Sequence, residues 1–308
     1  TTPASAAPAD SFPSKPIQIV LGFPPGGSTD ILARLVAQHM QEAWGQPVVV
    51  LNRPGASTII ATESVARAAP DGHTLLVGAS SAMTINPELY QSLPYNAKTD
   101  FSPVAIMGSF PLLLAVHPSL KVQSVSELVQ AAKTRQLNYS SASTLFQLAA
   151  EMFKQMAKVD VTHIPYKGTG PALVDLAAGR LDFMMTTGTG SARPFLESGK
   201  VRPIGITGDK RSPIYPDIPT FAEQGFDLPE LSYGTTWGFF APAGTPPAIV
   251  SKLNAAINAV LESPSLKQAL GRLDVEPEPM TVEQVTRFVA REIEAWPPLV
   301  RKMNIKVD

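Results

Sequence analysis

Ile17-Gln-Ile-Val-Leu21, the turn Phe23-Pro-Pro-Gly-Gly-Ser-Thr-Asp30 and the run DILARLVAQHMQEAW ending at Trp44 are the stretches whose reading decides the fold. The first is a short apolar run with β-branched residues, a buried strand by length and type. The last places Ile31, Leu32, Leu35, Val36 and Met40 at helical spacing, with Gly45 to close the helix. Outward from there, residues 47–51 read as a second strand and Asn52-Arg-Pro-Gly55 as a turn. Residues 59–69 read as a helix ended by Pro70-Asp-Gly72, and residues 73–78 as a third strand. Strand, helix, strand, helix, strand is the grammar of a parallel sheet with helices on both faces.

The grammar restarts downstream. Residues 124–134 predict a helix with capping-box spacing between Ser124 and Glu127. Strands at 137–140, 161–164, 181–186 and 201–207 alternate with helices at 144–157 and 170–178. Helices at 247–261, 265–273 and 282–303 form a tail with no strands of its own, expected to dock on an earlier lobe. Extended segments at 111–118 and 236–242 supply the two crossovers that two lobes require. The reading is α/β, with a flexible leader at 1–12, lobe one at 13–116 plus 238–308, and lobe two at 117–237.

Composition agrees. The 308 residues suit two domains of about 150 each. With 44% hydrophobic and 17% charged residues the chain can fill a core, and a net charge of −1 favours no nucleic acid. No apolar run reaches the roughly 18 residues of a membrane span. The absence of cysteine excludes disulfides, thiolate nucleophiles and zinc ribbons. The first residues, TTPASAAPADSFPS, read like the flexible segment behind a removed signal peptide, with an arbitrary starting point as the alternative.

A strand followed by Pro-Gly-Gly and a helix start presents unpaired backbone N–H groups at the positive end of a helix. Gly26 and Gly27 let a ligand approach the backbone, Ser28 or Thr29 adds a hydroxyl, and Thr29 or Asp30 serves as N-cap. The segment therefore reads either as an anion site or as a tight turn with ordinary capping. Neither GK[ST] nor GxGxxG is present, so nucleotide phosphate is not expected. Hydroxyl-rich turns also follow other strands: Asn52 to Ser57, Gly78 to Ser81 with Ser80, and Tyr139 to Thr144 with Ser140, Ser141 and Ser143. In doubly wound sheets such loops converge on the rim at the carboxyl ends of the strands.

Catalytic constellations are poor. His39, His73, His117 and His163 show no metal-binding spacing and read as structural, and G-x-S-x-G is absent. Asp182 reads as a turn residue and Arg53 as a surface charge or an anion partner. Residues 292–301 read as a solvated face with Trp296 as core anchor. No metal and no cofactor is expected.

Several stretches occur together in order: PSKPIQIVLGFPPGGSTDILAR, NRPGA, PDGHTLLVG, INPELY, HPSL, HIPYKGTGPALVDLAAGRLDF, RSPIYPDIPTFAEQGF and WGFFAPAGTPPAIV. Together they resemble the substrate-binding proteins of tripartite tricarboxylate transporters, the Bug family, over nearly the whole chain from Pro13. The resemblance implies a type II periplasmic binding protein fold, with two doubly wound α/β lobes joined by two crossover strands. It implies closure on a small organic acid, a di- or tricarboxylate or an aromatic acid, without catalysis. It further implies a monomer in the periplasm that delivers its ligand to integral membrane permease subunits.

Carried onto this chain, one ligand carboxylate is expected between Phe23 to Thr29 and Ser140 to Thr144. Ser57, Ser80, Ser81, Lys167, Gly168, Thr186 and Thr187 complete the expected ligand-binding set, with Thr189 beside them. Two departures stand out. Gly55-Ala-Ser-Thr58 replaces the family's usual Gly-Ala-Gly-Gly, and Ser141-Ala-Ser-Thr144 is shorter than usual and leads into Leu145 and Phe146. Both add bulk beside the expected pocket and suggest an aromatic or longer-chain acid. The alternatives are a ligand-sensing extracytoplasmic partner of a signalling system, or a hydrolase using Ser28 or Ser141, for which the sequence offers no base partner.

Overall fold

In the computed structural model, the structure describes residues 11–26, 28–141, 144–166, 168–208, 210–226 and 235–303. Strand β1 (Ile17–Leu21) is flanked in parallel by β2 (Val48–Asn52) and β3 (Thr74–Ala79), with Ile17 opposite Val48 and Gln18 opposite Thr74. Side chains alternate across a strand. Ile17, Ile19 and Leu21 therefore share a buried cluster with Leu32, Val36 and Met40 of helix α1 (Ser28–Trp44). Val20 faces the other way, onto Ala61 and Val65 of α2 (Ile59–Ala66). Burial on both faces explains why β1 reads as a nearly unbroken apolar run.

The rest of the chain builds two sheets of one design. The first has the order β2-β1-β3-β10-β4-β11, where β10 (Thr235–Pro242) runs antiparallel between β3 and β4 (Phe101–Phe110) and β11 (Glu276–Pro277) lies on the edge. The second has the order β7-β6-β8-β5-β9, formed by β5 (Leu113–Val116), β6 (Leu137–Ser141), β7 (Val161–Pro165), β8 (Phe183–Thr186) and β9 (Arg202–Ile206). There β5 runs antiparallel between β8 and β9. Each sheet thus holds parallel strands in the order second, first, third, then a returning strand, then a fourth. The second sheet is covered on one face by α7 (Thr169–Ala177), through Leu113, Met184 and Leu173. Its other face meets α5 (Val125–Thr134) and α6 (Thr144–Ala157), through Tyr139, Phe183, Leu128 and Phe153.

The registers orient the two rims. Trp237 of β10 lies opposite both Ala79, at the end of β3, and Gly108, near the end of β4. In the second sheet Leu113, the first residue of β5, lies opposite Thr186, the last residue of β8. Only Pro111 and Leu112 separate β4 from β5, so the linked ends are about 10 Å apart at full extension. The carboxyl ends of the parallel strands in both sheets consequently face this crossover. Thr207 secures it: its Oγ1 accepts the Leu112 N–H at 2.8 Å, and its own backbone N–H donates to Leu112 O at 2.9 Å.

Several expectations shift. Residues 113–116, counted above with lobe one, form a central strand of the second sheet, whereas Thr235 to Trp237, counted with lobe two, belong to the first. The long strand β4 was not anticipated, because Pro103 and Gly108 break its pattern. The tail does contain a strand. After α9 (Pro247–Leu261) and α10 (Pro264–Arg272), β11 (Glu276–Pro277) pairs with β4 before α11 (Val282–Met303). Gly108 permits that pairing, since its φ is +149° and a Cβ there would lie 2.1 Å from Glu276 O. Phe12, assigned to the flexible leader, is buried against Trp44 and His73. Glu292 is not solvated either; it is buried and accepts the Trp296 Nε1–H at 2.8 Å.

Candidate functional site

The loop after β1 is braced from within. Helix α1 begins at Ser28, so Thr29 and Asp30 lie inside its first turn rather than at the N-cap. Asp30 reaches back from that turn, and its Oδ2 accepts the Gly26 N–H at 2.9 Å. Its Oδ1 accepts Asn52 Nδ2 at 2.8 Å, and Arg34 Nε donates to Oδ2 at 3.0 Å. Asn52 also donates to Phe23 O at 3.1 Å, tying the loop to the end of β2. Burial alone would raise the Asp30 carboxyl. The bonds from Arg34, Gly26 and Asn52, together with the Arg34 charge, outweigh it and bring the pKa down to about 2. The Gly26 N–H is therefore spent inside the protein. Gly26 contributes a φ of +85° instead of a free donor.

Phe23 is half-buried and Gly26 exposed, while Thr29 is buried. Gly27 lies outside the described residues, and Ser28 is placed by its backbone as the first residue of α1. The neighbouring loop comes very close. A Cβ on Gly22 would sit 2.5 Å from Thr58 Cβ and 2.8 Å from its Cα.

Gly55, Ala56, Ser57 and Thr58 have successive φ values of +131°, +45°, +50° and +73°. The chain keeps a left-handed backbone at Ser57 and Thr58, neither of which is glycine. This conformation costs roughly 1–2 kcal/mol per non-glycine residue. Tethers hold it: Asn86 Nδ2 donates to Ser57 O at 2.9 Å, Tyr90 OH to Ser57 Oγ at 2.8 Å, and Thr62 Oγ1 to Thr58 O at 2.9 Å. Thr58 Oγ1 itself is buried without a hydrogen-bond partner among the described residues. After β3, Ser80 opens the short helix α3 (Ser80–Thr84), and the half-buried Ser81 accepts the Ile85 N–H through its carbonyl. Arg53 is exposed, with its N–H donated to Leu21 O.

On the second sheet, Ser141 ends β6 and is buried. Its carbonyl accepts the Tyr166 N–H at 3.0 Å, and its Oγ lies 2.7 Å from His163 Nε2. His163, read from the sequence as structural, thus touches the expected ligand loop. Tyr139 and His163 are register partners, so parity puts Tyr139, Ser141 and His163 on one face. The two rings lie 4.9 Å apart, and Tyr139 OH donates to Glu151 at 2.5 Å. Burial pushes the His163 imidazolium below its ordinary pKa, with the Glu151 charge opposing and the Lys154 charge adding to the shift.

Ser140 and Thr186 are fully buried on the opposite face, and both hydroxyl oxygens lack a hydrogen-bond partner among the described residues. Thr144 opens α6, and Gly168 is the N-cap of α7. Thr187 is half-buried, while Thr189 donates to Leu273 O at 3.5 Å. Ser143 and Lys167 lie outside the described residues.

Two α/β sheets that share one strand order apart from the edge strand β11, with hydroxyl-bearing rims facing each other across a two-residue crossover, define the periplasmic binding protein class. Residues 32–305 match the tripartite tricarboxylate transporter family receptor. The chain belongs to that family and is one of its solute-binding proteins. It is 37% identical to BugT of Bordetella pertussis over 313 residues, covering 99% of this chain and 95% of that protein. An adipate-bound protein of R. palustris is 35% identical with a TM-score of 0.83, covering 96% of this chain and 99% of that one. MatC from Rhodopseudomonas palustris with bound malate is 34% identical with a TM-score of 0.78, covering 94% and 100%.

Proposed function

We propose that this chain captures a small dicarboxylate between the rim around Phe23 to Thr29 and the rim around Ser140 to Thr144, without chemical turnover. The observation that carries this reading is the opposition of the two rims across Pro111 and Leu112. Hydroxyls and helix starts there can solvate a carboxylate without a full positive charge. Adipate and malate in the similar proteins point to the same ligand class. In this reading Thr186, Thr187 and Thr189 meet the distal end of the ligand, where bulk at Ser57 and Thr58 favours a longer or aromatic acid.

The lobes close by bending at the Pro111–Leu112 crossover, and the closed form makes the extra contacts that shift the equilibrium. The protein acts as a monomer in the periplasm and hands its ligand to the integral membrane permease of a tripartite transporter. Among the described residues no helix is long and apolar enough to cross a membrane.

A thermal-shift and calorimetric screen of malate, succinate, citrate, adipate and aromatic dicarboxylates tests the proposal. A ligand at 100 times its Kd stabilises the protein by about 2.7 kcal/mol. Silence from every acid would sink the carboxylate reading, and a clear preference for short hydroxy acids would sink the longer-acid reading. One observation favours a second reading. Ser141 has His163 at nucleophile–base distance, which the sequence did not reveal. Hydrolysis of a bound ester would support it.

A further inference from the structure

We infer that His163 is a positioning residue that sets the hydrogen-bond polarity of Ser141, making this part of the second rim a donor to a carboxylate. The inference rests on the carboxylate reading above and deepens it. A serine hydroxyl owns one proton and two lone pairs, and a neutral imidazole owns one proton on one of its two nitrogens. At 2.7 Å, Ser141 Oγ and His163 Nε2 share one hydrogen bond, so only one of them donates. If Ser141 donates, it offers nothing but lone pairs to a ligand, and a carboxylate is repelled. If His163 donates, the Ser141 proton is left for the ligand.

The surroundings choose between these states. Gln147, in the first turn of α6, places its amide nitrogen 3.5 Å from His163 Nδ1. An amide N–H facing Nδ1 favours a lone pair there, and with it the ring proton on Nε2. Tyr139 packs against the ring at 4.9 Å with a 32° tilt between the planes, while the β6–β7 register fixes Ser141 diagonally across from it. Burial favours the neutral form of the ring. The arrangement differs from that of a serine nucleophile, in which the hydroxyl donates to its base. The same two residues therefore serve capture or attack according to where one proton sits.

The proton can be located without a ligand. Long-range 1H–15N correlation spectra of the 15N-histidine-labelled full chain at neutral pH, with His163 assigned by its loss in His163→Gln, should show protonation at Nε2. Protonation at Nδ1 would overturn the inference and favour the nucleophile reading. Calorimetry with adipate and with malate supplies the second arm. His163→Gln, which retains an N–H donor for Ser141, should stay within about threefold of the parent Kd, whereas His163→Leu should weaken binding by about tenfold. In a Ser141→Ala background, His163→Leu should cause no further loss. An equal loss with and without the Ser141 hydroxyl would reduce His163 to a packing residue. If the parent chain binds no carboxylate, the capture reading fails and the inference with it, whatever the tautomer.

Discussion

Ser212, in the segment that follows the second sheet, donates a 2.6 Å hydrogen bond to Asp274, which precedes the last strand of the first sheet. Lys210 and Glu276 form a second link of the same kind at 2.6 Å. Asp274 is buried, has a φ of +58°, and leaves Oδ2 without a hydrogen-bond partner among the described residues. Burial raises its pKa, the Ser212 bond opposes that, and the Glu276 charge adds to it. Because the folded protein holds this proton more tightly than the unfolded chain, the associated stability is present below the unfolded carboxyl value of about 4 and is lost as pH rises through the folded value. Asp274→Asn keeps the shape and tolerates the positive φ. Its stability relative to the parent should improve as pH rises above about 4 and level off once Asp274 has ionised, as read by urea denaturation. A difference that does not vary with pH would contradict the argument.

Asp30 titrates in the opposite sense. Its pKa is lowered to about 2 from 3.8, so its contribution is present above about 4 and lost as pH falls toward 2. The full linkage is worth about 2 kcal/mol. Asp30→Asn should lower stability by that order at pH 7 and by much less at pH 2.5, and should free the Gly26 N–H. Equal melting temperatures for the two proteins at pH 7 would refute the role.

Gly22→Ala places a methyl group into the Cβ and backbone of Thr58. Backbone cannot yield as a flexible side chain does, so the variant should lose about 1–3 kcal/mol. It should lose ligand affinity as well, because the two loops that move apart both sit on the first rim. Unchanged calorimetric affinity would show that these loops do not meet the ligand.

Thr58→Gly removes a β-branched residue from a φ of +73° and deletes a buried hydroxyl that has no partner among the described residues. Relief of that strain exceeds the extra entropy of glycine in the unfolded chain, and stability should rise by about 1 kcal/mol. A fall in the denaturation midpoint would mean that the threonine methyl group, packed on Gly22, holds the loop more firmly than the strain weakens it.

Much of the fold was legible because helices and half-buried strands carry their own period. Helices α6, α9 and α11 have the ends expected from spacing and punctuation, and Ser124 caps α5 by accepting the Glu127 N–H at 3.1 Å. Strand β4 escaped notice because it is defined by partners on both sides rather than by alternation of its own. The sheet to which β5 belongs was misread for a related reason: a short apolar strand looks the same in either sheet. At the site, the hydroxyl-rich loops were visible as turn chemistry. The spending of the Gly26 N–H on Asp30 and the left-handed backbone at Ser57 and Thr58 were not, because neither leaves a pattern in residue type.

By itself, then, the sequence determined two series of strands and helices, the loops that follow the strands, and membership in a receptor family. Those features depend on local periodicity, glycine and proline positions, and the order of motifs along the chain. Only the tertiary structure decided that the two rims face each other, that Ser141 meets His163, and that Ser212 bonds Asp274. These relationships join residues 22 and 62 positions apart. Their physical basis is long-range strand pairing, which places hydrogen-bonding groups together without requiring any local signal.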